Sequence, residues 1–345
     1  MSVIPFRPKK VEDEHAPEEL GNPLALRGSP QPAPTPETIA LARQRQRLRR
    51  FVMLVPALLV SAYVIYWALT LWSHKVDDDL SFPTNVRQTW SSPWAGVTAS
   101  ILEREYESNG WAPSAEAWMP AARLTAKPAW QTSLVEALGQ HAGLAAEQAL
   151  ESEGEVDADL ATAARLLTGS VNPSELRAAR EAFVSYDGRV RRHRISGAIS
   201  SEQFSQRLMM MTGWAEASSR ELMDVFHTTD SWPLDDQAVV AIYRARARGY
   251  AAHRLISSID GQYRGDVQVY RDAALRAWGR VAQFSPLIIV NGSPDSMLFT
   301  SHAASMRAML LEAERETRAY AQAITAMNSA SEPVAGTADA DANSI

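Results

Sequence analysis

Cysteine is absent from the 345 residues, which excludes disulfide staples, thiolate metal sites and a cysteine nucleophile. It leaves either side of a bacterial membrane open to the chain. No run alternates apolar and polar residues between hairpin turns, so sheet is not expected. The nucleophile elbow G-x-S-x-G is missing, as are H-E-x-x-H and any pair of the seven histidines at ligand spacing. The acidic run "ESEGEVDADLAT" fails as a calcium loop, because Val156 stands where the sharp-turn glycine belongs and Thr162 where the closing glutamate belongs. No cofactor and no metal is implied.

Charge is missing between Phe51 and Trp72, where "FVMLVPALLVSAYVIYWALTLW" runs for 22 residues. A helix of that length, at about 1.5 Å per residue, crosses a hydrocarbon core of roughly 30 Å, so residues 51–72 are expected to form a transmembrane helix. Trp67 and Trp72 suit the far interface. Arg43, Arg45, Arg47, Arg49 and Arg50 precede the run, and only Lys75 follows it closely, beside Asp77, Asp78 and Asp79. The positive-inside rule then places the N-terminus in the cytoplasm and the remainder in the periplasm of a cell with two membranes. The apolar run is too long, and its leader too extended, for a cleaved signal peptide. An inner-membrane, single-pass protein follows.

The first fifty residues net +3, which leaves −9 of the total −6 for the rest. That sign disfavours nucleic acid as a partner. The partners expected are the lipid bilayer and an envelope protein or a second copy. Eight prolines fall in the first forty residues, so residues 1–42 read as a disordered cytoplasmic tail and 43–50 as its arginine-rich flank. Residues 73–94 form an acidic and aromatic connector, 95–327 an all-helical periplasmic domain, and 328–345 a second disordered tail.

Helical period dominates the domain, whose architecture is expected to be all-α, a multi-helix bundle or compact helical array. Asn172, Pro173 and Glu175 spell a helix start. Phe204, Leu208, Met211, Ala215, Ser218, Leu222 and Val225 step by four and three as one apolar seam, widened by Met209, Met210 and Trp214. Later helices carry Val239, Ile242, Tyr243, Tyr250, Leu255 and Ile259, then Met306, Met309, Leu310, Tyr320 and Ile324.

Four stretches, "EVDADLATAARLL", "NPSELRAAREAFVSYDGRV", "VVAIYRARARGYAAHRLI" and "SPLIIVNGSPDSMLFTSHAASMRAMLLEAERE", resemble in order and spacing the bacterial family catalogued as domain of unknown function 2333. The resemblance spans roughly residues 95–325. Its most specific element is Ser285, Pro286, Asn291, Gly292 and Ser293, with His302 at the head of the last helix. It implies a single-span envelope protein and brings no catalytic residue or ligand. Pro294, Asp295 and Ser296 depart from the apolar residues the family pattern has after the turn.

That turn gathers the raw materials of a hydrolase, with Ser293 or Ser296 as nucleophile and His302 as base. Conformational duties account for the same residues: Asn291-Gly292 is a turn dipeptide, Pro294 stops a helix, and Thr300 or Ser301 suits an N-cap ahead of His302. A possible ligand or turn motif at Asn291, Gly292, Ser293 and His302 is retained with no catalytic assignment. The favoured function is a non-catalytic binding or scaffold protein of the envelope. The alternatives are the hydrolase and a transmembrane regulator signalling through the cytoplasmic tail.

Charge runs read as surface. Glu103, Glu105 and Glu107, and Glu312, Glu314 and Glu316, point in diverging directions on a helix and are expected on solvated faces. "RVRRHR" (residues 189–194) and "RARAR" (244–248) offer an anionic-partner patch or internal salt bridging, and the second is preferred. Trp90, Trp94, Trp111, Trp118 and Trp130 are expected to wedge loops onto a core rather than to hold a glycan.

Overall fold

The computed structural model describes residues 36–73, 75–116, 119, 125–228, 236–259, 267–286 and 301–331. Among these every regular element is helical, as the periodicity requires. The chain divides into two compact units, Met1–Ala62 and Tyr63–Ile345.

Helix α1 (Pro36–Ser73) opens on a proline, whose fixed φ suits a first helical position. It therefore begins inside the stretch 1–42 expected to be disordered. The arginines Arg43, Arg45, Arg47, Arg49 and Arg50 lie on it, with Arg45 exposed. Residues 51–72 are helical as expected, with Pro56 inside the helix. Their described side chains run without a break only from Val52 to Tyr66, and among the described residues no helix is long and apolar enough to cross a membrane. The transmembrane expectation is thus met in helicity and not in span. Both expected tails, up to residue 35 and from 332, lie outside the described residues.

The second unit holds α2 (Val86–Thr89), α3 (Pro93–Glu103), a π-turn (Arg104–Ser108), α4 (Ala126–Glu153), α5 (Ala158–Leu166), α6 (Pro173–Arg191), α7 (Ser201–Thr228), α8 (Asp236–Ile259), α9 (Gln268–Ala282) and α10 (His302–Ser331). Buried core residues run from Val86 to Ile324, with Val76, Leu80 and Phe82 packed against them, so part of the stretch 73–94 expected to be a connector joins the core, and α10 continues past the expected boundary at 327. Helix α8 lies at the centre, against α4, α7, α9 and α3, while α7 pairs along its length with α10, and α5 bridges α4 to α6.

Small residues set the closest approach. Ala241, Ala245, Ala251 and Ala252 of α8 and Ala274, Ala277 and Ala282 of α9 are buried. A Cβ at Gly249 would stand 2.6 Å from Val281 Cγ1, so glycine is what lets these two helices meet. Large residues fill the remaining volume: Trp130, Trp278, Tyr250, Phe183 and Phe204 are essentially inaccessible. Trp278 Nε1 donates to Thr317 Oγ1 at 2.8 Å, which satisfies the buried indole.

Every member of the α7 seam from Phe204 to Val225 is buried, as is Trp214, whereas Met209 is 44% exposed. Helix α6 begins with a full capping box. Asn172 accepts from the Ser174 and Glu175 amides, and the Glu175 carboxylate accepts from the Asn172 amide. Asn172→Ala is expected to cost about 1 kcal/mol in urea unfolding, and Asn172→Gly a few tenths.

Candidate functional site

The described domain concentrates buried charge where the connector following α1 meets α8. Arg246, Tyr250 and Arg254 are spaced by four on α8 and so form one row along it. Arg246 Nη2 donates to Asp78 Oδ2 at 2.7 Å, and its Nε donates to the Ala282 carbonyl at 3.1 Å. Tyr250 donates its hydroxyl to the Asp79 carbonyl at 3.2 Å. Arg254 reaches the Leu80 carbonyl at 2.5 Å and the Pro83 carbonyl at 3.4 Å. Residues 77–83 are thereby strapped onto the helix.

A second support comes from the π-turn, the kind of single-turn irregularity that recurs at functional sites. It turns both Arg104 and Glu105 inward. Arg104 donates to the Asp77 carbonyl at 3.0 Å and pairs with the Asp77 carboxylate at 3.2 Å. Its guanidinium lies over the rings of Phe82 and Tyr250, at 4.7 and 5.3 Å. Arg246 is likewise sandwiched, 4.7 Å from the Tyr243 ring and 5.6 Å from that of Trp130. Stacked guanidinium planes tolerate burial better than a lysine would, because they are weakly hydrated and flat.

Glu105 is 1% exposed. Burial raises its carboxyl pKa, against the pull of Arg104 and the hydrogen bonds from Gln131 and Asn109. Burial also lifts the Tyr250 phenol to about 12 and depresses Lys127. Lys127 Nζ donates to the Asn109 carbonyl at 2.5 Å. Beside this network an open cavity of about 600 Å³ is lined by Lys75, the three aspartates Asp77 to Asp79, Ser108, Asn109, Lys127 and Gln283. Its carboxylates are engaged by Arg104, Arg246 and Ser81. The arrangement holds a strap in place.

Of the residues singled out in the sequence, Asn291, Gly292, Ser293 and Ser296 lie outside the described residues. Ser301 and His302 are described. The Ser301 hydroxyl accepts from the Ala304 amide at 3.2 Å, and its carbonyl accepts from the Ser305 amide at 3.1 Å. Ser301 therefore caps α10. His302 opens that helix with its ring 6.0 Å from that of Phe284. Among the described residues no three of the His, Asp and Glu side chains gather to hold a metal ion.

The glutamate runs need a correction. Glu103 pairs with Arg180 at 3.2 Å, and Glu312 and Glu314 pair with Arg280 and Arg318 at 2.6 and 2.9 Å. Glu105, expected on a solvated face, is instead the buried centre of the network. The i, i+4, i+8 row Arg246, Tyr250 and Arg254, which falls on the same face of α8 as Ile242 and Ala247, was the signal that could have found its surroundings.

Internal salt bridging in "RARAR" is as expected: Arg244 and Arg248 both contact Glu221, at 2.6 and 3.7 Å. Trp94, Trp111 and Trp130 are buried in the core, while Trp118 lies outside the described residues. Asp157 caps α5 and receives Arg189 at 2.6 Å, so that carboxylate is fully engaged.

No family model, no curated protein and no solved structure matches the chain.

Proposed function

We propose that the chain is a single-span protein of the bacterial inner membrane, anchored by α1, whose periplasmic helical domain binds or scaffolds other envelope components without catalysis. The observation that carries this reading is the bare apolar surface of α1. Val52, Met53, Leu54, Val55, Leu58, Leu59, Val60, Tyr63, Val64 and Ile65 are each between 46% and 79% exposed. Consecutive residues lie about 100° apart on a helix, so these side chains cover its whole circumference. A helix apolar and exposed all round suits lipid. The arginines on its N-terminal side favour a cytoplasmic N-terminus. The resemblance to the family of domain of unknown function 2333 belongs to the same proposal.

The test combines alkaline carbonate extraction with a phosphatase reporter fused after Ile345. The expected result is a pelleted protein with an active periplasmic reporter. Release by carbonate, or a reporter active only in the cytosol, overturns the reading.

The strap favours a second reading, a regulator that relays the state of the domain to the cytoplasmic segment. The residues gripped by Arg104, Arg246, Tyr250 and Arg254 follow directly on α1, and a change in that grip would be felt at its end. Deleting residues 1–40 separates the two readings. A regulator loses its cellular effect with the domain still inserted, whereas a scaffold keeps it.

A further inference from the structure

The C-terminus of α6 carries a strained residue in a basic bowl that the strap does not involve. The helix closes with a Schellman arrangement: the His193 amide donates to the Val190 carbonyl and the Arg194 amide to the Arg189 carbonyl, both at 3.0 Å. The residue between must be left-handed, and glycine is its usual occupant. Here it is His193, at φ +51°, the one non-glycine residue with positive φ among the described residues. Strain of this kind persists where a side chain is wanted for another reason.

Arg191, Arg192, His193 and Arg194 are all exposed. Arg191 pairs with Asp187 at 3.0 Å and donates to the Thr89 carbonyl at 3.1 Å, which fixes its guanidinium at the rim. No ion pair engages Arg192, His193 or Arg194 among the described residues, unlike Arg189 deeper in the helix. In front of them opens a cavity of about 970 Å³, lined by Arg191, His193 and Arg194 with Ser91, Ser196 and Glu155. The helix C-terminus carries roughly half a negative charge, and the three guanidinium groups of Arg191, Arg192 and Arg194 outweigh it together with the Asp187 and Glu155 carboxylates.

We propose that this bowl binds the phosphoryl group of a phosphorylated polyol, such as a glycerol phosphate, free or as a lipid headgroup. Guanidinium forks match a phosphoryl group with two parallel hydrogen bonds, and the imidazole and the Ser91 and Ser196 hydroxyls add donors. Glu155, the acid among the lining residues, repels a second anionic group and accepts from a hydroxyl. That combination selects a polyol ester over inorganic phosphate. The proposal does not rest on the scaffold reading and stands or falls apart from it.

The experiment is calorimetric titration of the full chain in an uncharged detergent, with glycerol phosphate and with inorganic phosphate. A parallel titration doped with phosphatidylglycerol in the micelle reads the lipid source. Saturable binding of either polyol ester, tighter than inorganic phosphate, is expected. Arg194→Ala should weaken it about tenfold. His193→Gly should raise the thermal midpoint by releasing the left-handed strain, while weakening binding several-fold. A purely structural histidine would move only the midpoint. Absence of saturable binding by both esters, binding unchanged in both variants, or a lowered midpoint in His193→Gly overturns the proposal.

Discussion

Acidifying the full chain from pH 7 to pH 4 is expected to remove about 2 to 3 kcal/mol of folding stability through His253 alone. Burial, reinforced by the positive charge of Arg254, holds this imidazole down at about 4 against an ordinary 6.5. Its ring faces α9 at Gly279. The unfolded chain binds the proton more readily than the folded one, so stability is fully present above pH 6.5 and declines as the pH falls towards 4. His141 acts in the same direction. It is fully buried, edge-on to Trp94 at 5.0 Å, and burial with the neighbouring Arg207 charge holds it well below its ordinary value. Urea unfolding of the wild type and His253→Gln at pH 7 and pH 4 provides the check. The variant should lose about 2 to 3 kcal/mol less than the wild type between the two pH values. Equal losses would mean that the folded state accepts a proton at His253 without penalty.

The second large effect concerns the strap. Asp78→Ala is expected to cost about 3 kcal/mol, because it leaves the Arg246 guanidinium buried without its counter-charge. Arg246 is 1% exposed and would retain only the Ala282 carbonyl and the two aromatic faces. Arg246→Met in the Asp78→Ala background should recover more than half of the loss, since a buried pair replaced by an apolar side chain is often close to neutral. The double-mutant cycle, read from urea midpoints, isolates the pair from the rest of the network. If Asp78→Ala unfolds at the wild-type midpoint, the strap is not held by this ion pair.

The helices and their caps were legible because their determinants are local. Asn172 and Glu175 stand three apart, and the α7 seam repeats within a few turns, so the chain itself displays the pattern. Met209, read as part of that seam, is half-exposed because its position falls at the edge of the apolar stripe. Glu105 could not be placed in the same way. Its burial depends on Gln131 from α4, on Asn109 across a π-turn, and on Arg104 beside it, and no local pattern announces a π-turn. The capping role of Ser301 was readable for the same reason as that of Asn172. Asn291 and Ser293 lie outside the described residues.

The strap is gripped mostly through its main chain. Tyr250 and Arg254 hold the carbonyls of residues 79, 80 and 83, and Arg104 adds that of residue 77. The Asp77 and Asp78 carboxylates, with the Phe82 ring under Arg104, mark which part of the strap is held. Side chains at 79 and 80 serve the path differently: Asp79 holds Ser81 through its carboxylate, and Leu80 packs against the core beside Gly279. An inserted or deleted residue would shift the register, bringing Asp77 or Asp79 against Arg246 and changing the length of tether between α1 and its grip.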